Sequence, residues 1–209
     1  MSREAILSNV RNALEQNKLN NANRDYKDLI KHSSDNIVQE YITMQTANKG
    51  IVVESKDILN DIKEILTKLE SKKILYTLDM ADIAKDLEST KEFDIKPYDK
   101  SVDSIRDELF NTDTSIIRAK CGVADLGIFG VVSSSLHPRL ASLITKNCII
   151  ILDKKDIVQS LNDGINKLKG NDKLPSNIIF IAGPSRTADI ELKTVFGVHG
   201  PQQTYIILI

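Results

Sequence analysis

The residues best suited to chemistry lie in one segment near the end of the sequence, which begins Gly183-Pro184-Ser185-Arg186-Thr187. The glycine permits an unusual backbone turn, and the proline then fixes it. The two hydroxyl residues are of the types that cap a helix, and a helix start offers unpaired backbone amides. With the arginine guanidinium, these groups would form a pocket for a carboxylate or a phosphate.

A purely structural interpretation of this segment stays open. The string could be only a turn and a cap, with the Arg186 guanidinium paired internally to Asp189 or Glu191. Both acids would suit the start of a helix, and both would weaken the field that an anionic ligand meets. From the residues alone, a binding site and a structural turn are about equally supported.

A second constrained loop follows, in which Gly197 and Gly200 flank His199. A histidine titrates near neutral pH, so His199 could act as a general acid or base. A histidine that only bonds to the backbone fits the same pattern. If the chain is itself an enzyme, His199 and Asp189 are the acid–base candidates.

Two further features could line the same region. Asp125 and Gly127 form a predicted hairpin turn ahead of a strand, and hydroxyl residues, His137 and Arg139 follow that strand. Each has an ordinary explanation as a turn, loop or surface residue. The sequence holds no Ser-His-Asp motif, no Walker loop and no Gly-x-Gly-x-x-Gly, which disfavours triad hydrolases, P-loop proteins and dinucleotide-binding Rossmann domains.

The elements that must position these residues alternate between strands and helices. Continuous apolar runs, such as 148–152 and 178–182, predict strands covered on both faces. The alternation predicts an α/β fold, a three-layer α/β/α sandwich with a largely parallel sheet that one antiparallel hairpin at 114–133 interrupts. Helices are expected near 56–70, 139–145, 155–168 and 187–193. In such sheets ligands bind beyond the carboxyl ends of the strands, as segment 183–201 would after strand 177–182.

Residues 1–23 are predicted to form an N-terminal helix and linker, and residues 24–209 the α/β domain. The helix at 3–16 has one apolar face, which would pack loosely or against another chain. The chain could therefore form a homo-oligomer, or act only as an interaction module that docks through this helix.

Bulk properties exclude several partners. The net charge of −1 argues against nucleic acid and against anionic membranes. The two cysteines, Cys121 and Cys148, are expected to be buried and inert, and their spacing matches no metal or redox motif. No metal or cofactor is predicted. The absence of a signal-like or spanning apolar run predicts a cytoplasmic protein.

The ordered string Gly183–Glu191 with the loop Gly197–Pro201 and a terminal apolar strand closely resembles the LUD-domain family, in its lactate utilisation protein C type. Support over 114–152 is weaker: Asp125, Gly127 and Arg139 match less securely. The chain departs from the family pattern by having Leu126 and Ile128 where threonines are common, so hydroxyl contacts from these two positions are not expected.

The resemblance implies a fold like that of sugar-phosphate isomerases and CoA transferases. It also implies a role in oxidising L-lactate to pyruvate, beside separate iron–sulfur partner proteins. The leading hypothesis is a subunit that binds a small anionic metabolite through Gly183, Pro184, Ser185, Arg186, Thr187, Glu191, Gly197 and Gly200, with Asp125 and Arg139. The alternative is a stand-alone isomerase or acyl/CoA-transfer enzyme that uses His199 and Asp189.

Overall fold

The computed structural model describes residues 2–16, 34–170, 175–188 and 194–209. The chain divides into two compact units, residues 1–31 and 32–209, where the sequence predicted a boundary after residue 23. The first unit contains the predicted helix, α1 (Arg3–Gln16). Its apolar face is exposed along its length, at Ile6, Leu7, Val10 and Leu14.

The second unit holds the α/β fold. Its helices are α2 (Ile37–Ala47), α3 (Ile58–Lys68), α4 (Ala81–Ser89), α5 (Val102–Phe110) and α6 (Leu161–Lys169). Its strands are β1 (Ile51–Glu54), β2 (Lys73–Tyr76), β3 (Asp94–Pro97), β4 (Thr114–Arg118), β5 (Cys121–Val123), β6 (Ile128–Val132), β7 (Asn147–Leu152), β8 (Ile157–Val158), β9 (Ile178–Ile181), β10 (Arg186–Ala188), β11 (Thr194–Phe196) and β12 (Gln203–Leu208). No helix in the described ranges has the length and apolar character that crossing a membrane requires.

Six strands form a wholly parallel sheet in the order β1-β12-β7-β4-β2-β3. Every residue of β7 is buried, as the apolar run in the sequence predicted. Alternate residues point to opposite faces of a strand. Accordingly Ile149 and Ile151 pack in one core, while Cys148 and Ile150 pack in the other.

The two cores define three layers. On one face of the sheet, Ile62 and Leu66 of α3 and Leu87 of α4 fill the core. On the other, Tyr41 of α2 and Leu109 of α5 do so, together with part of a second sheet. This arrangement confirms an α/β fold with a largely parallel central sheet.

The second sheet is where the predicted architecture needs correction. Its four strands have the order β8-β5-β6-β9, and β5 and β6 form an antiparallel hairpin. The strand at 114–120 was expected to pair with β6, but it is β4 of the parallel sheet, and the three residues of β5 take its place. Strand β9 was expected in the parallel sheet with both faces covered. It is instead an antiparallel edge strand of the smaller sheet, and its four residues are only partly buried. An apolar run indicates burial but does not specify which sheet a strand joins.

Three predicted helices also differ from the structure. The helix expected at 139–145 is a short 3-10 turn, Arg139–Ser142. The helix expected at 155–168 begins only at Leu161, because residues 157–158 pair with β5 and the Ser160 side chain then caps α6. The helix expected at 187–193 is wrong at its start, since residues 186–188 form β10, paired antiparallel with β11. Residues 189–193 lie outside the described ranges.

Candidate functional site

The two glycine-containing segments that the sequence singled out are joined in space. The Ser185 amide donates to the Pro201 carbonyl at 2.8 Å, and the Gly197 amide donates to the Ser185 carbonyl at 2.9 Å. A Cβ atom on Gly200 would lie 3.2 Å from the Ser185 Cβ. Residues 183–186 and 197–201 therefore form one paired loop, although β10 and β11 separate them along the chain.

A third predicted turn meets this paired loop at the C-terminal end of α2. Gly183 has φ +72°, and a Cβ there would lie 2.4 Å from the Asn48 carbonyl oxygen. The Asn48 amide group donates to the carbonyls of Leu126 and Gly127, at 2.7 and 2.9 Å. Asn48 thus links Gly183 to the turn that carries Asp125. The sequence had suggested that this turn and segment 183–201 could line the same region.

The paired loop lies at the amino edge of the parallel sheet. The Gln202 amide, immediately before β12, donates at 2.7 Å to the carbonyl of Lys146, immediately before the neighbouring strand β7. The segment does follow the carboxyl end of β9, but β9 belongs to the smaller sheet. The expected position beyond the carboxyl ends of the parallel strands is therefore wrong.

An open cleft of about 790 Å³ lies at this edge, and we call it the amino-edge cleft. Its walls come from α5, from residues 140–146 and from residues 197–202. Arg106 and Lys146 bring two cations to it, and His199 brings an imidazole. No described residue that lines the cleft is an aspartate or a glutamate, so the lining has a positive charge balance.

Apolar side chains share the cleft with these cations. Phe110 is 70% exposed and Val198 is 52% exposed, and both line it. Leu140 and Leu143 face it from the opposite wall. A mixed apolar and cationic lining is suited to an organic anion rather than to a bare inorganic ion.

The candidate residues of the second loop are at this cleft, whereas those of the first loop are beside it. Gly197, His199 and Gly200 line the cleft, and Ser185 contacts Gly200 from behind. Arg186 is exposed on β10, where its guanidinium donates to the Ala182 carbonyl at 3.4 Å. Pro184 is buried and Thr187 is partly buried.

The remaining candidate residues either lie farther from the amino-edge cleft or fall outside the described residues. Arg139 is exposed at the start of the 3-10 turn whose next residue, Leu140, lines the cleft. Asp189 and Glu191 lie outside the described residues, so the pairing of Asp189 with His199 stays a prediction. Because residues 186–188 form a strand, no helix begins there, and the expected unpaired amides of a helix start are not supplied by these residues.

The two cations of the cleft were not found by sequence reasoning. Arg106 lies on α5, far from the glycine-containing motif in the sequence, and Lys146 lies in the stretch taken for a helix and its turn. The adjacency of β7 and β12 would have indicated Lys146, because residues that precede neighbouring parallel strands share one edge of the sheet. Strand order, however, is not encoded in a local pattern.

The two cysteines are buried, as predicted. Burial raises the pKa of the Cys121 thiol to about 11 and that of Cys148 to about 12. Both thiols are therefore protonated at neutral pH, and neither is a nucleophile under those conditions.

Comparison with known proteins gives a consistent result. The sequence profile of the LUD domain matches residues 38–209. An uncharacterised protein of Neisseria meningitidis serogroup B is 32% identical over 115 residues, which is 54% of this chain and 49% of that protein. A lactate utilization protein C of Shouchella clausii is 36% identical over 100 residues, 46% of this chain and 44% of the relative.

The chain thus spans about half the length of these two curated relatives. A longer match, to lactate utilization protein C of Oceanobacillus iheyensis, covers 70% of this chain and 68% of that protein at 24% identity. Among solved structures, a DUF162 family protein from Deinococcus radiodurans superposes with a TM-score of 0.60. That match covers 82% of this chain and 95% of the other at 14% identity, and it supports the fold alone.

Proposed function

The chain belongs to the LUD domain family, and from that premise we propose that it is a component of lactate utilisation that binds a small anionic metabolite at the amino-edge cleft. Relatives of this chain carry the name lactate utilization protein C. In this proposal the chain acts in the oxidation of L-lactate to pyruvate, with electrons passing to separate iron–sulfur proteins. It works in the cytoplasm.

The observation that supports binding is the charge balance of the cleft. Arg106 and Lys146 line the cleft together with the His199 loop, and no carboxylate is among the described lining residues. Arg106 is 4.0 Å from Asp103, but both side chains are largely exposed, so this pair is weak and leaves the guanidinium available. Two unneutralised cations beside a glycine-rich loop favour a carboxylate or a phosphate.

The apolar part of the cleft favours a carbon skeleton next to that anionic group. Phe110 and Val198 offer exposed apolar surface within the cleft that holds Lys146. Lactate and pyruvate have a carboxylate on a short carbon chain, and CoA-linked acids have several phosphates on a longer one. Ser185 of the family motif would then order the loop that carries His199, through its two backbone hydrogen bonds to Pro201 and Gly197.

Isothermal calorimetry on the full chain would test the proposal with L-lactate, pyruvate, inorganic phosphate and CoA as ligands. We expect at least one organic anion to bind, and Lys146→Ala to weaken it about tenfold, which is the loss of one charge-assisted contact. Arg106→Ala should act in the same direction. Lys85→Ala, an exposed lysine of α4, is the matched control and should leave the affinity unchanged.

If Lys146→Ala, Arg106→Ala and Lys85→Ala all bind the anion as the unmodified chain does, the cleft is not the binding site. The role in lactate utilisation is tested separately by co-purification from the native cell. Recovery of iron–sulfur proteins with the chain would support that role, and recovery of the chain alone under mild conditions would count against it.

A further inference from the structure

The parallel sheet has a point where its connections diverge. The chain leaves β2 towards β3 on one side, and it leaves β4 towards β7 on the other. Since β2 and β4 are neighbours, the connections diverge in the gap between their carboxyl ends. In open α/β sheets this topological switch point is where ligands bind. It lies at the opposite edge of the sheet from the amino-edge cleft.

Polar residues from three segments meet at this gap. Thr77 and Asp79 follow β2, and Lys120 follows β4. His137 comes from the turn after β6, and that turn is fixed to the end of β2 because the Leu78 amide donates to the Leu136 carbonyl at 2.9 Å. We call Thr77, Asp79, Lys120 and His137 the switch-point cluster.

Asp79 is at the centre of the cluster. Its Oδ2 atom lies 3.4 Å from the Lys120 Nζ and 3.7 Å from the His137 Nδ1. Burial alone would raise the Asp79 pKa. Interactions with His137 and Thr77 and the charge of Lys120 outweigh burial and hold the pKa at about 2, so the carboxyl is ionised at neutral pH.

The cluster is buried on the histidine side and open on the lysine side. The His137 side chain is 3% exposed, whereas that of Lys120 is 47% exposed. Four atoms of the cluster are fully buried and have no hydrogen-bond partner within the described part of the chain: both His137 ring nitrogens, Thr77 Oγ1 and Asp79 Oδ1. Unpaired buried polar groups are rare in native proteins, and four at one point offer unused hydrogen-bonding capacity to a ligand or to water.

The geometry also indicates what each residue could do. Asp79 faces the Nδ1 atom of His137, and a carboxylate there favours the tautomer that carries its proton on Nδ1. The Nε2 atom is then a hydrogen-bond acceptor. The distance of 3.7 Å is longer than a hydrogen bond, as is common at sites that tighten when a ligand binds. A divalent cation is disfavoured, because the Lys120 ammonium is already beside the carboxylate.

We propose that the switch-point cluster is a second ligand site, for a small molecule in which a hydroxyl group stands next to a carboxylate or a phosphate. The Lys120 ammonium binds the anionic group, and the His137 Nε2 accepts a hydrogen bond from the hydroxyl. Asp79 is a positioning residue that holds the imidazole. The ligand enters from the Lys120 side. This site does not rest on the proposed binding at the amino-edge cleft, although L-lactate belongs to the class of ligand that both sites would take.

Proton NMR of the histidine rings tests the proposal directly, since the full chain has three histidines and His137→Asn identifies one set of signals. The probes form two matched pairs, L-lactate against propionate and glycerol 3-phosphate against inorganic phosphate. We expect the His137 signals to shift when the hydroxyl-bearing member of at least one pair is added. The shift with the other member of that pair should be at least about fivefold smaller. The pair whose hydroxyl-bearing member shifts the His137 signals identifies the anionic group as a carboxylate or as a phosphate. Equal shifts with both members of each pair, or no shift with any probe, would overturn the proposal.

Variants test whether Lys120 holds the anionic group. Lys120→Met should weaken binding of the responding probe about tenfold, as read from the His137 signals. Lys155→Met, at an exposed lysine on the same edge of the sheet, should not. Should Lys155→Met reduce binding as much as Lys120→Met does, the site is elsewhere. Lys120 is half exposed, so its replacement is compatible with folding, and thermal unfolding verifies this.

The positioning role of Asp79 has its own spectroscopic signature. In the unmodified chain the His137 ring should carry its proton on Nδ1, which nitrogen-15 chemical shifts report. In Asp79→Asn we expect a mixture of tautomers, and weaker binding of the probe. An unchanged tautomer with unchanged binding would contradict the role.

Discussion

The two edges of the parallel sheet are built in different ways. At the amino edge, backbone atoms and glycines hold the paired loop together, and the charged residues around the cleft are exposed. At the carboxyl edge, side chains of Asp79, His137 and Lys120 face one another, and much of the cluster is buried. The first arrangement leaves a local trace in the sequence as a string of glycines and a proline. The second arises only when three distant segments meet.

This difference explains why the motif and the topology indicate different places. The string from Gly183 matches a family pattern, yet it lies at the edge where parallel sheets do not usually bind ligands. The switch point between β2 and β4 lies at the usual edge, and its residues belong to no motif that the sequence displays. The proposal of a site at the amino-edge cleft therefore depends on evidence from the family and from charge. The proposal of a site at the switch-point cluster depends on geometry.

The largest expected effect comes from the backbone of the amino edge. Gly183→Ala places a methyl group 2.4 Å from the Asn48 carbonyl oxygen, at a φ of +72°. We expect a loss of about 3 kcal/mol in the free energy of unfolding, from the strained φ and the clash together. Urea unfolding measures it. Gly170→Ala is the control for backbone strain without a clash, because Gly170 has φ +67° and ψ 175°, a region that favours glycine, but open space around it, and should cost about 1–2 kcal/mol.

A similar cost for the two alanine variants would show that close packing against Asn48 contributes nothing, and that the paired loop is not anchored there.

The next effect is a pH dependence at the carboxyl edge. The Asp79 pKa is about 2 in the folded chain, below its ordinary value of 3.8. A lowered pKa adds stability that is complete above about pH 5 and is lost as the pH falls through 4 towards 2. Asp79→Asn should remove about 1 kcal/mol of pH-dependent stability in that window, discounted because Lys120 is half exposed. Thermal unfolding at several pH values measures it.

Parallel stability curves for Asp79→Asn and the unmodified chain between pH 2 and pH 5 would show that Asp79 has an ordinary pKa. The ionic description of the switch-point cluster would then be wrong.

The smallest expected effect is the difference in affinity between variants of two cations near the amino edge. Lys146 lines the cleft, whereas Arg186 lies on β10 with its guanidinium directed to the Ala182 carbonyl. We expect Lys146→Ala to weaken binding of an organic anion about tenfold, and Arg186→Ala to weaken it by about threefold or less. Calorimetry on the two variants gives the ratio. A larger loss for Arg186→Ala would place the anion on the hairpin rather than in the cleft.

Much of the fold could be predicted from local patterns. The apolar run at 148–152 predicts a buried strand, and it is the fully buried strand β7. The apolar period of 56–70 predicts an amphipathic helix, and α3 buries Ile62, Ile65 and Leu66. In both cases the signal is local, because burial on one or two faces sets which residue types each position accepts.

The errors arise where structure depends on distant partners. Thr187 follows a glycine and a proline and looks like the start of a helix, but it pairs with Val195 across a hairpin. Strand β9 has the same apolar character as β7, yet its partner Phe129 places it in the other sheet. His137 was predicted as a residue that could line the region of segment 183–201, but it lies at the opposite edge of the sheet, beside Asp79 and Lys120, which are distant in sequence.

Backbone NMR of the full chain during titration with pyruvate tests the central claim most directly, because pyruvate carries a carboxylate but no hydroxyl. The account predicts that amide signals move at residues 143–146 and 197–202, and that Lys146→Ala suppresses these shifts. Amide signals that stay fixed at both segments up to saturating pyruvate would contradict an anion site at the amino edge. So would shifts there that Lys146→Ala leaves unchanged.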